Sequence, residues 1–269
     1  MSQVFGVFCS TDSLTGSLLE QFGSPLEAFD PSKREALGIG WLQDGRSLVR
    51  KHPSRLAQRA DLLPLLADIP CRGVIGQVRH VEEGKSTLED LQPFRYRNFV
   101  FALSGESQRL VQSAQELRGD LPDHIARNLQ GSTGAEIFFH YFYTLVEARV
   151  SSTARQEWHQ CYEEALGVAF GHLRDQPLSA LCLSDRVLLA ATGEAPLFYR
   201  LVDGLEEDAE KPLFAGHKPK RVKHPQFRGF LISGGHEVEQ PEWKRVPPNS
   251  TLRIDQDWKV SIREIGKEK

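Results

Sequence analysis

Hydrophobic and polar positions divide the chain into strand-like and helix-like stretches. Residues 3–9 are almost all apolar and rich in Val and Phe, which predicts a buried strand starting close to the N-terminus. Residues 23–35 mix Pro, Ser, Asp and Lys and predict a loop. Residues 37–42 and 47–51 are strand-like runs on either side of Gln43-Asp44-Gly45-Arg46, and an Asp-Gly pair so placed predicts a tight hairpin. Residues 54–69 put Leu56, Leu62, Leu63, Leu65 and Leu66 near helical spacing, with Ser54 as N-cap and Pro64 as a kink or early stop. Residues 72–78 and 99–103 are further strand candidates, and the charged stretch 82–90 between them predicts an exposed loop.

The pattern then changes period. Thr133-Gly134-Ala135-Glu136 has the Thr-x-x-Glu spacing of a capping box. Behind it Ile137, Phe138, Tyr141, Leu145 and Val146 recur at helical spacing. A second helix is expected with Trp158, Cys161, Ala165, Val168, Ala169 and His172 along one face. The two helices are expected side by side over a sheet. Short strands return at 178–183, 187–191, 197–201, 227–233 and 252–254. Strands, two long helices, then strands is an α+β order and not a βαβ repeat. No linker rich in Pro, Gly or Ser and no internal repeat divides the chain, so residues 1–269 read as one domain.

Composition narrows the function classes. Of 269 residues, 40% are apolar and 26% charged, which excludes a disordered or fibrous chain. The formal charge of −3 argues against electrostatic capture of nucleic acid or an anionic membrane. There is no signal-peptide pattern and no run of 18 apolar residues, so no membrane span is expected. Cys9, Cys71, Cys161 and Cys182 are far apart with no CxxC, which fits a reducing cytoplasm. The nine histidines show no metal-binding spacing, and no motif calls for a cofactor. Gly38-Ile39-Gly40 and Gly234-Gly235 lack the surroundings of a phosphate loop and read as turns or close-packed backbone. The basic run at 217–224 follows the acidic run at 206–210 and reads as a solvated, self-compensating loop.

Ser2 stands at the edge of the first predicted strand. A Ser, Thr or Cys that becomes the first residue of a processed chain can act as a nucleophile with its own α-amine as base. That amine titrates at about 7.7–8.0, so it can accept a proton near neutrality.

In order and spacing, the chain resembles a class II glutamine amidotransferase of the small stand-alone type. The family opens with a Met-Cys-Arg-Leu-x-Gly-like start where this chain has Met1-Ser2-Gln3-Val4-Phe5-Gly6. Its Gly-rich strand ending in Trp is matched by Leu37-Gly38-Ile39-Gly40-Trp41, and its His-x-Arg strand end by Gln77-Val78-Arg79. Its Asn-x-His-Pro-Phe turn falls on Asp90-Leu91-Gln92-Pro93-Phe94, and its His-Asn-Gly on Leu103-Ser104-Gly105. The Thr-Asp-Ser-Glu helix start falls on Thr133-Gly134-Ala135-Glu136, and the closing Trp-x-x-Val-Pro on Trp243-Lys244-Arg245-Val246-Pro247.

The resemblance implies a four-layer αββα sandwich of the N-terminal-nucleophile hydrolase type. It implies Ser2 at the nucleophile position, Ser104 and Gly105 at the oxyanion hole, and Arg79, Thr133 and Gly134 around the amino-acid end of glutamine. Three family groups are replaced: the Cys nucleophile by Ser2, the oxyanion Asn by Ser104, and the ammonium-binding Asp by Gly134. Losing one oxyanion donor alone costs about 2.7–4 kcal/mol of transition-state binding. Arg79 either grips a ligand carboxylate or pairs with a carboxylate such as Glu136. The expected function is therefore a cytoplasmic amidotransferase-like protein without glutaminase activity. It would bind a glutamine-like small molecule or a partner protein in a ligand-binding, regulatory or scaffold role. It needs no cofactor, metal, nucleic acid or membrane, and is compatible with a homo-oligomer. The alternative is an active amidohydrolase that uses Ser2 after removal of Met1. Ammonia transfer to a synthase would then call for a separate partner chain.

Overall fold

The computed structural model describes residues 2–20, 35–52, 70–80, 87–105, 107–151, 157–185, 187–208 and 221–266. The predicted helix at 54–69 and most of the predicted loops at 23–35 and 82–90 lie outside the described residues. Glu35, placed in a loop by its neighbours in sequence, instead begins a strand.

The first strand, β1 (Ser2–Cys9), is the middle of a seven-stranded sheet. Its neighbours are β4 (Gly73–His80) and β10 (Arg221–Gly234), both antiparallel. Beyond β4 lie β2 (Glu35–Gln43) and β3 (Arg46–His52), and beyond β10 lie β9 (Leu197–Asp208) and β11 (Lys244–Arg245). A strand in this position is covered on both faces, which is why its sequence is apolar without alternation. Val4 and Phe8 enter the core between the sheets, while Phe5, Val7 and Cys9 face the opposite side. There Leu14, Leu18 and Leu19 cover them from a 3-10 turn, Asp12–Leu14, and the short helix α1 (Thr15–Glu20).

The second sheet has six strands. In order they are β13 (Val260–Glu264), β12 (Ser250–Asp255), β8 (Val187–Thr192), β7 (Ser179–Leu183), β6 (Phe99–Ser104) and β5 (Phe94–Tyr96). Val100, Ala102, Leu181, Leu188 and Leu252 pack from this sheet against Val4, Phe8, Ile75 and Phe230 of the first. Its other face carries helices α2 (Gln108–Gly119), α4 (Gly134–Val150) and α5 (Trp158–Gly171), with the single turn α3 (Asp123–Ala126) between the first two. The layers are thus helix, sheet, sheet, helix.

Local chemistry accounts for several boundaries. Asp44 and Gly45 both take positive φ, 52° and 73°, the backbone a two-residue type I′ hairpin requires, and Gln43 pairs with Arg46. Thr133 caps α4 by accepting the amide of Glu136 at 3.3 Å. The expected capping box is only half made, because Glu136 does not return to Thr133. Its two carboxylate oxygens accept the amides of Gln130 and Gly131, both at 2.8 Å, and so fold the preceding loop against the helix. This also directs Glu136 away from the pairing with Arg79 considered above.

Two helical faces differ from expectation. In α4, Tyr141 and Leu145 are half-buried while Phe139, Phe142 and Tyr143 join the core. The helix is pressed between the sheet and two other helices, so burial extends beyond one stripe. Phe139 stacks on Phe101 at 5.2 Å between centroids, and Phe138 meets Phe170 edge-on at 5.8 Å. In α5, Val168 is 44% exposed and His172 lies past the helix end, while Tyr162, Glu163, Leu166 and Phe170 are buried. Strands β9 and β10 run 12 and 14 residues, longer than the apolar runs predict. Their charged ends pair across the ladder, with Lys223 2.8 Å from Glu206. The described part of the acidic and basic runs is therefore compensated within a sheet and not within a loop. The rest of both runs lies outside the described residues.

One buried group makes stability depend on pH. The Nδ1–H of His140 donates to the carbonyl of Glu136 at 2.9 Å, and Nε2 is buried without a partner among the described residues. Burial pulls its pKa below the ordinary 6.5, and burial acts in the same direction on His52 and His236. The unfolded chain then binds protons that the folded chain refuses. Stability is complete above about pH 6.5 and falls as the pH drops through the depressed values. Thermal melts are expected to show a falling midpoint from pH 7 to pH 5. His140→Phe, which keeps an aromatic against Tyr96 and Phe139, should flatten that slope. A variant profile parallel to the wild type would show that His140 carries none of it.

Candidate functional site

A cleft of about 430 Å³ opens where β1 and β4 end, beside the N-terminal turns of α2 and α4. Ser2, Arg79, Gly105, Thr133 and Gly134 all line it, although they are spread over nearly half the sequence. Ser2 is the first residue of β1 and is directly opposite Arg79 on β4, so the two side chains leave the sheet as neighbours.

The Gly105 amide donates to Ser2 Oγ at 2.8 Å. Gly105 has φ of +93°, and a Cβ there would lie 2.3 Å from the carbonyl oxygen of Pro177. Only glycine lets the chain turn here and aim the amide at Ser2. Gly105→Ala is expected to destabilise the fold by more than about 1 kcal/mol. Urea denaturation would show this, and an unchanged midpoint would contradict it.

Ser104 is placed elsewhere. It is fully buried and its Oγ lies 2.7 Å from Ser179 Oγ. The physical reason is strand alternation: Leu103 and Gly105 line the cleft, and the side chain between them points to the opposite face. The second oxyanion donor expected at this position therefore does not face Ser2.

Gly134 is the first residue of α4, beside the capping Thr133. A Cβ at Gly134 would stand 3.3 Å from Leu110 Cγ and from the Leu110 carbonyl oxygen. Helix α2 thus leans over the position, and the close approach suits a residue without a side chain.

The cleft also has a floor that sequence reasoning missed. Gln77 and Gln92 both donate through Nε2 to the carbonyl of Leu103, the latter at 3.2 Å, and Gln92 Oε1 accepts the Leu103 amide at 2.6 Å. These bonds fix the end of β6 and hence Gly105. The Gln92 carbonyl lies where a Cβ on residue 38 would fall, so Gly38 serves close packing. Gln77 was legible as the same-face partner of Arg79, two residues earlier on β4. Ser107, Gln108, Leu110 and Val111 come from α2, which was not predicted at all. Its signals were the N-cap Ser107, which accepts the amides of Arg109 and Leu110, and the spacing of Leu110, Ala114 and Leu117.

Among the described residues, few ionisable side chains reach the cleft. Arg79 and His80 line it, and among the described residues no Asp, Glu or Cys does. The thiols of Cys9 and Cys71 lie elsewhere, where burial pushes them up to about 11 and about 12. Among the described residues, the nucleophiles that line the cleft are the hydroxyls of Ser2, Ser107 and Thr133.

No protein-family model matches the sequence, and no curated protein matches it. Solved structures do match its shape. A glutamine aminotransferase class-II domain protein from Silicibacter pomeroyi superposes with a TM-score of 0.57 at 14% identity, covering 98% of this chain and 100% of that one. A predicted glutamine amidotransferase from Pseudomonas aeruginosa gives 0.55 at 16% identity, over 96% of this chain and 98% of that one. The allosteric regulatory enzyme of purine biosynthesis gives 0.62 at 15% identity, covering 99% of this chain but 49% of that one. Among the described residues, no helix is long and apolar enough to cross a membrane. The chain has the α+β, N-terminal-nucleophile hydrolase fold of class II glutamine amidotransferase domains.

Proposed function

We propose that this chain is a class II glutamine amidotransferase-like protein that does not hydrolyse glutamine and acts in the cytoplasm as a ligand-binding, regulatory or scaffold protein. In this reading Ser2 occupies the nucleophile position, the Gly105 amide is the remaining oxyanion donor, and Arg79 with the Thr133–Gly134 helix start holds the ligand. The observation that carries it is the orientation of Ser104, whose hydroxyl is bonded to Ser179 and turned from the cleft. A single amide then faces the position where negative charge would develop, and the hydroxyl it faces is a weaker nucleophile than a thiol.

The contact between the Gly105 amide and Ser2 Oγ also supports a second reading, an amidohydrolase with Ser2 as an N-terminal nucleophile. It requires removal of Met1. The test is intact mass of the natively expressed protein together with ammonia release from L-glutamine. A chain that begins at Ser2 and turns over at rates common to enzymes, about 1–10³ per second, would overturn the non-hydrolytic reading.

A further inference from the structure

We infer that Gln92 is the positioning residue of the cleft: its side-chain amide stands in for a strand that stops short, and so sets where the Gly105 amide points. This rests on reading that amide as the donor that faces Ser2. Strand β5 pairs with β6 over Phe94–Tyr96, with Phe94 opposite Phe101. Carried further, the same register would set Gln92 opposite Leu103. Pro93 lies between them and has no N–H to continue the ladder. A side chain completes the edge of β6 instead. Gln92 Oε1 accepts the Leu103 amide at 2.6 Å, and Gln92 Nε2 donates to the Leu103 carbonyl at 3.2 Å. A carboxamide accepts and donates at once without titrating. It therefore meets both backbone groups of Leu103 as a paired residue of an antiparallel strand would.

This two-point bond is buried and held from behind. Gln92 is 6% exposed, and Gln77, which donates to the same carbonyl from β4, is 3% exposed. Leu91 and Phe94 beside it are buried, and the backbone carbonyl of Gln92 lies against Gly38 of β2. The other edge of β6 is paired with β7 as far as Ser104 and Ser179. The end of β6 is thus gripped on both edges, and Gly105 is the first residue beyond it. Its amide, two residues from the Gln92 bond, donates to Ser2 Oγ at 2.8 Å. An apolar side chain at position 92 would leave the Leu103 amide buried without this acceptor, which is costly enough for the end of β6 to shift. The shift would fall where the Gly105 amide is aimed.

The Gly105 amide is itself the readout, by NMR of the isotope-labelled full-length chain. Ser2→Ala removes the acceptor and so marks the resonance of the unbonded amide. Gln92→Met, close in volume but unable to make either bond, is expected to move the Gly105 resonance toward that position. It should also speed hydrogen exchange at Gly105 by about tenfold or more. Gly167, within α5, is the reference for general loosening and should change much less. A Gly105 resonance that stays in place in Gln92→Met or in Ser2→Ala would overturn the inference. Exchange that rises equally at Gly105 and Gly167 would do so too, because Gln92 would then serve stability alone. If Gln92→Met fails to fold, the wild type decides. Its Gln92 carboxamide protons should exchange at least about tenfold more slowly than those of Gln115, which is exposed on α2. Equal rates would overturn the inference. None of these readouts needs turnover, so the two readings separate. Hydrolysis of L-glutamine with Gly105 moving as expected refutes the non-hydrolytic reading alone, and an inert chain in which Gly105 ignores Gln92→Met refutes the positioning role alone.

Discussion

Ammonia release from L-glutamine by the wild-type chain is expected to fall at least ~10²-fold below an ordinary enzyme, from the missing oxyanion donor alone. The hydroxyl of Ser2 and the absence of a carboxylate at Gly134 should lower it further, though such effects need not add. The triple change Ser2→Cys, Ser104→Asn, Gly134→Asp is the informative comparison, with Met1 removal checked by mass. The geometry predicts how it should behave. In Ser104→Asn the longer side chain must displace the native contact, since Ser179 Oγ lies 2.7 Å from the hydroxyl it replaces. Gly134→Asp must push Leu110 aside, because the added Cβ starts 3.3 Å from Leu110 Cγ. Ser2→Cys alone should gain little, because the thiolate would still attack toward one amide. A triple variant that gains at least about tenfold over an inert wild type would show a cleft that survives with only its chemistry lost. Wild-type turnover at an ordinary enzyme rate would end the argument.

Legibility along the chain follows the strength of local signals. The apolar run behind Ser2 announces the middle strand because a strand buried on both faces has no polar alternation to obscure it. Asp44-Gly45 announces its hairpin because few pairs accept two positive φ values. Helix α2 was missed because only Leu110, Ala114 and Leu117 are buried and most of the rest is polar and exposed. The orientation of Ser104 was not legible either. Its neighbours in sequence say nothing of Ser179, 75 residues away, which meets its hydroxyl. Arg79 could be singled out from sequence, but its meeting with Leu110, Thr133 and Gly134 in one cleft emerges only when β4, α2 and α4 are brought together. Contacts of this range are set by tertiary packing, which a local pattern cannot encode.

The largest stability effect is expected far from the cleft, at Glu163. This residue lies on α5 and is 1% exposed, yet it is charged. Across the layer boundary Arg253 of β12, 3% exposed, brings Nη1 to 3.4 Å from Glu163 Oε2. Arg263 reaches the same oxygen at 3.5 Å, and Asp255 lies 3.8 Å from Arg253. The network joins the helical layer to the sheet, since α5 packs on β8 and β12. Two buried charges lose much hydration, and their attraction largely offsets that loss, so the pair as a whole stabilises little. Removing one partner is different, because it leaves the other charge buried with poor compensation. Glu163→Leu is therefore expected to cost about 3–5 kcal/mol, whereas Glu163→Leu with Arg253→Met should cost clearly less than the sum of the two single changes. Breaking the neighbouring Arg263–Glu164 contact, half-exposed at 3.4 Å, should cost at most about 1 kcal/mol and vanish in salt. Urea denaturation at low and high ionic strength separates these cases. A Glu163→Leu cost below about 1 kcal/mol, or strict additivity with Arg253→Met, would mean that the network is hydrated and that packing alone holds α5 to the sheet.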